Sequence, residues 1–113
     1  MADSYVPARG DLIWMNFDPH AGHEQRGHRP ALVLSPSSYN SRASLAIVCP
    51  ITNQTKGYPF EVEIPSGLAV TGYVLSDQFK SVDWRARGAK FADKLPPSEI
   101  SQVLDVAVVL ISS

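Results

Sequence analysis

His28-Arg29-Pro30-Ala31-Leu32-Val33-Leu34-Ser35-Pro36 is the stretch on which the fold turns. Pro30 to Leu34 is a short apolar run ended by Ser35-Pro36, so it reads as a strand. On its N-terminal side lies a polar stretch, His20 to His28, that contains Gly22 and Gly27. Glycines and unpaired charges favour a mobile loop there over a helix. Further back, Gly10-Asp11 opens a strand, Leu12-Ile13-Trp14-Met15-Asn16-Phe17, which the turn starter Asp18-Pro19 stops.

On the C-terminal side, Ser37 to Ser41 reads as a turn or a single helical turn, and Leu45 to Ile51 as another strand. After the polar connection Thr52 to Gly57, Phe60-Glu61-Val62-Glu63-Ile64 alternates apolar and charged residues, the pattern of a strand with one wet face. Further strands are expected at Gly72 to Leu75, Lys80 to Trp84 and Gly88 to Phe91. Short strands at this spacing predict a compact, strongly curved barrel. The end of the chain changes period. Ile100, Val103, Leu104, Ala107, Val108 and Ile111 fall on one helical stripe, with Pro97 suited to the first helical position and Glu99 to the first turn. The fold class is therefore mainly β with a C-terminal helix, the helix lying across the barrel to close its core.

The 113 residues are the size of one domain, and residues 1–113 are expected to form one. With 44% hydrophobic residues the chain can bury a core, although its surface-to-volume ratio leaves room for self-association to add stability. A formal net charge of −1 excludes a generally basic nucleic-acid binder, so any positive field must come from a few focused side chains. The single cysteine, Cys49, sits in an apolar run and reads as a buried small hydrophobe; no internal disulfide is possible. No basic patch followed by an apolar stretch marks the N-terminus, and no window reaches the length of a membrane span, so a cytoplasmic protein without membrane contact is expected.

The densest polar constellation is His20, His23, Glu24, Gln25, Arg26, His28 and Arg29. Three readings compete: a metal site, a solvated loop and the lip of an active site. The metal reading is weakened by spacing, because His23 and His28 stand five apart where a helical zinc motif needs four, and by the two glycines. Neither a metal nor any other cofactor is expected.

At these residues a resemblance becomes specific. Gly10 to Trp14, Gly27 to Ser35 and Pro50-Ile51-Thr52 resemble three signature blocks of MazF/PemK/Kid-type toxins, and Lys56 to Val62 and Asp77 to Arg85 extend the likeness in the same order. The resemblance implies an SH3-like barrel of the PemK/MazF, CcdB-like superfamily and a homodimer. It further implies metal-independent cleavage of single-stranded RNA at a short sequence, and neutralisation by a cognate antitoxin whose disordered tail lies in the RNA groove. The likeness of the Glu24–Pro30 and Lys56–Val62 blocks to ACA-cutting members implies an ACA-containing site.

RNA carries its own nucleophile, the 2′-hydroxyl. A metal-free enzyme must then supply a base, charge stabilisation for the pentavalent phosphorus and a proton for the leaving oxygen. Arg29, on a strand, offers a planar fork for phosphate oxygens, and Thr52 a compact hydroxyl; by resemblance they match the family's catalytic Arg and Thr. Glu24 is the carboxylate available as base. His28 is a possible acid, with water as the alternative and a plain surface residue as a third. Lys56 and Lys80 suit phosphates, and Gln78 and Asn40 are candidate base readers. Phe17 and Trp84 are either aromatic platforms or core. Arg85 with Arg87 and Lys90 with Lys94 form either a solvated face or a stripe that tracks RNA or antitoxin. The rival function is a non-catalytic module of the CcdB-like, gyrase-poisoning kind, which depends on a terminal helix with a tryptophan near the tail. This chain has no tryptophan after Trp84.

Overall fold

Strand β2 (His28–Val33) lies between β1 (Asp11–Asn16) and β3 (Leu45–Thr52), and all three run antiparallel. The computed structural model describes residues 5–17 and 28–113. The remaining described elements are α1 (Ser37–Ala43), β4 (Glu61–Glu63), β5 (Tyr73–Leu75), β6 (Lys80–Asp83), β7 (Lys90–Lys94) and α2 (Pro97–Ser112). The sheet runs β4-β5-β3-β2-β1-β7, with β6 paired to β3 as well.

The unbroken apolar run in β2 follows from its central place, because a central strand covered on both faces has no wet side to mark by alternation. Leu32 faces a core cluster that contains Leu12, Cys49, Ile51 and Val74 and is covered by Val103 and Ala107 of α2. Ala31 and Val33 face the other cluster, with Ile13, Met15, Val48 and Trp84. β3 is the longest strand and is shared. Leu45–Val48 pairs with β6, and Ile51–Thr52 pairs with β5. β5 and β6 thus run end to end along β3, with residues 76–79 looped out between them. The break falls beside Pro50, which has no N–H to give to a ladder.

The expected class, mainly β with a C-terminal helix, holds, with boundary shifts that have local causes. The strand expected at Gly88–Phe91 lies at Lys90–Lys94, because a tight turn occupies residues 84–89. In that turn Asp83 Oδ1 accepts the Ala86 N–H at 3.0 Å, and the Ala89 N–H reaches the Trp84 carbonyl at 3.0 Å. The segment after Pro36 is a two-turn helix, α1, stopped at Ser44, which takes a left-handed conformation (φ 59°). Pro97 opens α2 as expected. The apolar stripe of α2, however, is buried only as far as Ala107. Val108 is 56% and Ile111 71% exposed, so the last turn leaves the core and is apolar all round: Val109 and Leu110 are exposed as well.

Candidate active site

Strand alternation decides which side chains meet at the open end of the sheet. Ala31 stands opposite Pro50 in the β2–β3 ladder, so the same register continued by two residues brings Arg29 level with Thr52. In the β1–β2 ladder Arg29 stands opposite Met15, and Phe17 is the next residue of β1's chain on that face. This face belongs to the cluster of Ile13, Met15, Ala31 and Val33. Arg29, Thr52 and Phe17 lie where the cluster runs out and the face opens to solvent.

Three clefts meet there. One, of about 710 Å³, is lined by Trp14, Arg29, Pro30, Thr52, Asn53 and Thr71, among others. A second, of about 550 Å³, is lined by Phe17, Arg29, Thr52, Gln78 and Lys80 with apolar residues between them. A third, of about 280 Å³, carries Thr52, Lys56, Tyr58, Phe60, Glu61, Asp77 and Gln78. Arg29 and Thr52 stand on the wall common to the two larger clefts, and Thr52 lines all three. The Lys80 ammonium sits 4.9 Å from the centroid of the Phe17 ring. Thr52 Oγ1 accepts the Gln54 N–H at 3.1 Å, which leaves its own proton free to be donated outward. A guanidinium fork, a hydroxyl donor and a second cation on one wall make a site suited to an oxyanion such as phosphate.

Of the residues singled out from the sequence, Arg29, Thr52, Phe17, Gln78, Lys80 and Lys56 all line these joined clefts. His28 lines none of the three. Its ring stacks on Trp14, with centroids 6.4 Å apart, as a diagonal neighbour across the β1–β2 pair. Glu24 lies outside the described residues, as do His20, His23 and the rest of the expected mobile loop up to Gly27. Among the described residues no three metal-capable side chains come together.

Asn40 requires correction. It is not a base reader at the clefts but a fully buried polar residue of α1 (0% exposed). Its Oδ1 accepts the Ser35 hydroxyl at 2.6 Å, and its Nδ2 donates to the Pro7 and Ser35 carbonyls at 2.8 and 3.0 Å. Trp84 joins the same knot, its indole N–H donating to the Asn40 carbonyl at 3.0 Å, and is core rather than platform. The four cations Arg85, Arg87, Lys90 and Lys94 have separate surroundings, with Arg85 and Lys90 lining a cleft of about 510 Å³. Arg85 lies over the Trp84 ring and bonds Ser44, and Lys94 pairs with buried Asp11 at 2.7 Å.

Arg87, which the sequence offered only as a member of a cationic face, is a positioning residue. Its guanidinium donates to the Asn16 and Phe17 carbonyls at 3.1 and 2.8 Å, which holds the end of β1 beside the site. Gly72 is another. It has φ +124°, and a Cβ there would lie 2.5 Å from the Thr52 carbonyl oxygen. Gly72→Ala should therefore push back the backbone that carries Thr52 and destabilise the fold by about 2 kcal/mol. Thermal unfolding checks this, and an unchanged midpoint would refute the close approach.

Two titratable groups near the site have clear environments. Burial, with the Asp77 charge as a lesser cause, pushes the Cys49 thiol up to about 12, so at neutral pH it is an inert, protonated thiol. Glu61 is held below the usual carboxylate range, first by the Thr55 hydroxyl and then by the Lys56 N–H. Because its folded pKa is depressed, this clasp is in place above the ordinary glutamate pKa and is lost as pH falls through the folded value.

Comparison with known proteins shows what the chain as a whole is similar to. Residues 8–110 match the family described as PemK-like, MazF-like toxin of type II toxin–antitoxin system. The chain is 50% identical over 103 residues to the endoribonuclease toxin MazF of Escherichia coli strain K12, covering 91% of this chain and 92% of that one. Among solved structures it is similar to MazF of Deinococcus radiodurans, with a TM-score of 0.88, 47% identity and coverage of 97% and 100%. It is also similar to the MazE–MazF structure of the same organism, with a TM-score of 0.87, 42% identity and the same coverage. The matched region reaches from before β1 to the last turn of α2 and takes in every described element that builds the clefts, so the chain belongs to the PemK-like, MazF-like toxins of type II toxin–antitoxin systems.

Proposed function

We propose that this protein is a metal-independent endoribonuclease toxin that cuts single-stranded RNA at a short, ACA-containing motif through attack of the 2′-hydroxyl. The observation that carries the reading is the shared wall of the clefts, where Arg29 and Thr52 stand together with Phe17, Lys80 and Gln78 around them. Arg29 stabilises the charge that develops on the phosphorane oxygens, and the Thr52 hydroxyl donates to the same group. Glu24 takes the 2′-hydroxyl proton. A guanidinium keeps its proton at neutral pH, so the leaving 5′-oxygen is protonated by His28 or water rather than by Arg29. Lys56 and Lys80 hold neighbouring phosphates, and the low net charge suits a selective cutter, since little unspecific attraction is available.

The relatives that this chain matches are named endoribonucleases, and its structural neighbours include a MazE–MazF structure. A cognate antitoxin of the MazE kind is accordingly the proposed partner, its tail occupying the clefts and blocking RNA. A homodimer is proposed as well. The uncovered apolar turn Val108–Ile111 supports self-association, because contiguous apolar surface of this kind is seldom left to solvent. The reaction is proposed to take place in the cytoplasm; among the described residues no helix is long and apolar enough to cross a membrane.

The test is direct. Purified protein is incubated with a long mixed-sequence RNA in excess EDTA, and the ends are mapped. The expected result is cleavage at a recurring short motif, undiminished by EDTA, with 2′,3′-cyclic phosphate and 5′-hydroxyl termini. Loss of activity in EDTA that zinc alone restores would replace the metal-free mechanism, and intact RNA throughout would remove the nuclease reading.

A further inference from the structure

The smallest of the three clefts carries two carboxylates, Glu61 and Asp77, in a place where cations would suit RNA better. Glu61 is already committed. It accepts the Thr55 hydroxyl and, at 3.1 Å, the Lys56 N–H, and so clasps the segment that bears Lys56 and Tyr58. Asp77 has no hydrogen-bond or ion-pair partner among the described residues. It sits in the turn looped out between β5 and β6, where the Gln78 N–H donates to the Leu75 carbonyl at 3.0 Å. In the same cleft, Tyr58 is 56% exposed and packs edge-on against Phe60, with centroids 6.4 Å apart. The cleft is thus a small space lined by two aromatic rings, a free acceptor and Thr52.

A carboxylate repels phosphate, so Asp77 contributes to RNA binding only through a base edge that donates to it. Adenine, cytosine and guanine each present an exocyclic amine. Uracil presents one N–H flanked by two carbonyls, which a carboxylate repels. An exposed aromatic ring lining such a cleft stacks a base of any kind. We infer that this cleft reads one nucleotide beside the scissile phosphate, with Tyr58 as the stacking platform and Asp77 as the acceptor that selects an amine-bearing base against uracil. The inference rests on the RNA-cleavage reading above.

The experiment uses one short RNA substrate and a set of copies, each with uracil or an abasic nucleotide at a single position beside the cut. Parent protein, Asp77→Asn and Tyr58→Ala are compared by kcat/KM. For the parent, uracil at one position should cost about tenfold. Asp77→Asn keeps the shape but replaces an acceptor by a donor, and should bring that ratio close to one while leaving the other positions unchanged. Tyr58→Ala should raise KM about tenfold for every base at the same position and abolish the cost of the abasic nucleotide there. Both side chains are exposed, and melting temperature serves as the control of folding; if Asp77→Asn fails it, Asp77→Ser removes the same acceptor and should likewise erase the uracil penalty. A uracil ratio in the Asp77 variants equal to the parent's at every position overturns the inference and leaves RNA cleavage standing. A parent that cuts none of the oligonucleotides overturns the cleavage reading, and the subsite with it.

Discussion

Arg29→Ala should cut RNA about ten- to a thousandfold more slowly than the parent, the cost of removing one pre-placed donor from an oxyanion. The expectation follows from where the residue sits. Arg29 belongs to β2, paired to β1 at Met15, so its fork is held by a strand and meets the phosphorane without first being ordered. Its side chain is exposed and contributes to neither core cluster, so the melting temperature should stay within about 2 °C of the parent's. Arg29→Lys keeps the charge but loses the planar pair of donors, and should fall between the parent and the alanine variant. Thr52→Val removes the other donor. Because the two act on one group, the double variant should lose less than the product of the single losses. Single-turnover rates on one oligonucleotide measure all four proteins. An Arg29→Ala protein as fast as the parent would move the catalytic site elsewhere.

Asn40→Ala should be the most destabilising change among the polar residues singled out from the sequence. It leaves the Ser35 hydroxyl and the Pro7 and Ser35 carbonyls without the partner they have in a buried setting. Orphaned buried groups of this kind cost about 3 kcal/mol together, which for a domain of this size is a fall of about 15 °C in melting temperature. The loss should propagate to the Ile47 N–H, which bonds the Ser35 hydroxyl at 2.8 Å, and so to the start of β3. Thermal unfolding decides the role of the residue. A base reader would leave stability alone and change cleavage preference; a buried staple does the reverse. Preserved stability with altered preference would return Asn40 to the RNA site.

The contrast between Asn40 and Gln78 explains what local chemistry conveys. Both are amides in turn-rich segments, and nothing in their immediate neighbours separates them. Asn40 is enclosed because α1 packs on β3, and because the N-terminal segment, through the Pro7 carbonyl, closes over it from 33 residues away. Gln78 is exposed because β5 and β6 meet end to end on β3 and expel the turn between them. The surroundings of the cations were illegible for the same kind of reason. Arg87 and Lys94 find their partners, Asn16, Phe17 and Asp11, some seventy or more positions away in the chain.

The exposure of Phe60 was not legible either. The alternation makes it the first apolar residue of a half-wet strand, but β4 begins only at Glu61, and Tyr58 and Phe60 are both exposed before it. Gly72 carried no signal, since a glycine before a strand is read as a boundary until the Thr52 carbonyl is seen 2.5 Å from where its Cβ would be.

What could be read from the chain alone is what short-range physics controls. The two-residue period of the strands, the apolar run of β2 bounded by prolines, and the 3.6-residue stripe of α2 with Pro97 at its start are set by backbone geometry within a few residues. The choice of Arg29 and Thr52 came instead from the resemblance to a family and not from local geometry. The three-dimensional fold alone decided which of the polar candidates face solvent together, that the stripe of α2 stops being buried at Ala107, and that a free carboxylate and an open aromatic ring share a cleft with Thr52. Those outcomes depend on the register between strands distant in sequence. A one-residue slip in that register would turn every side chain to the other face.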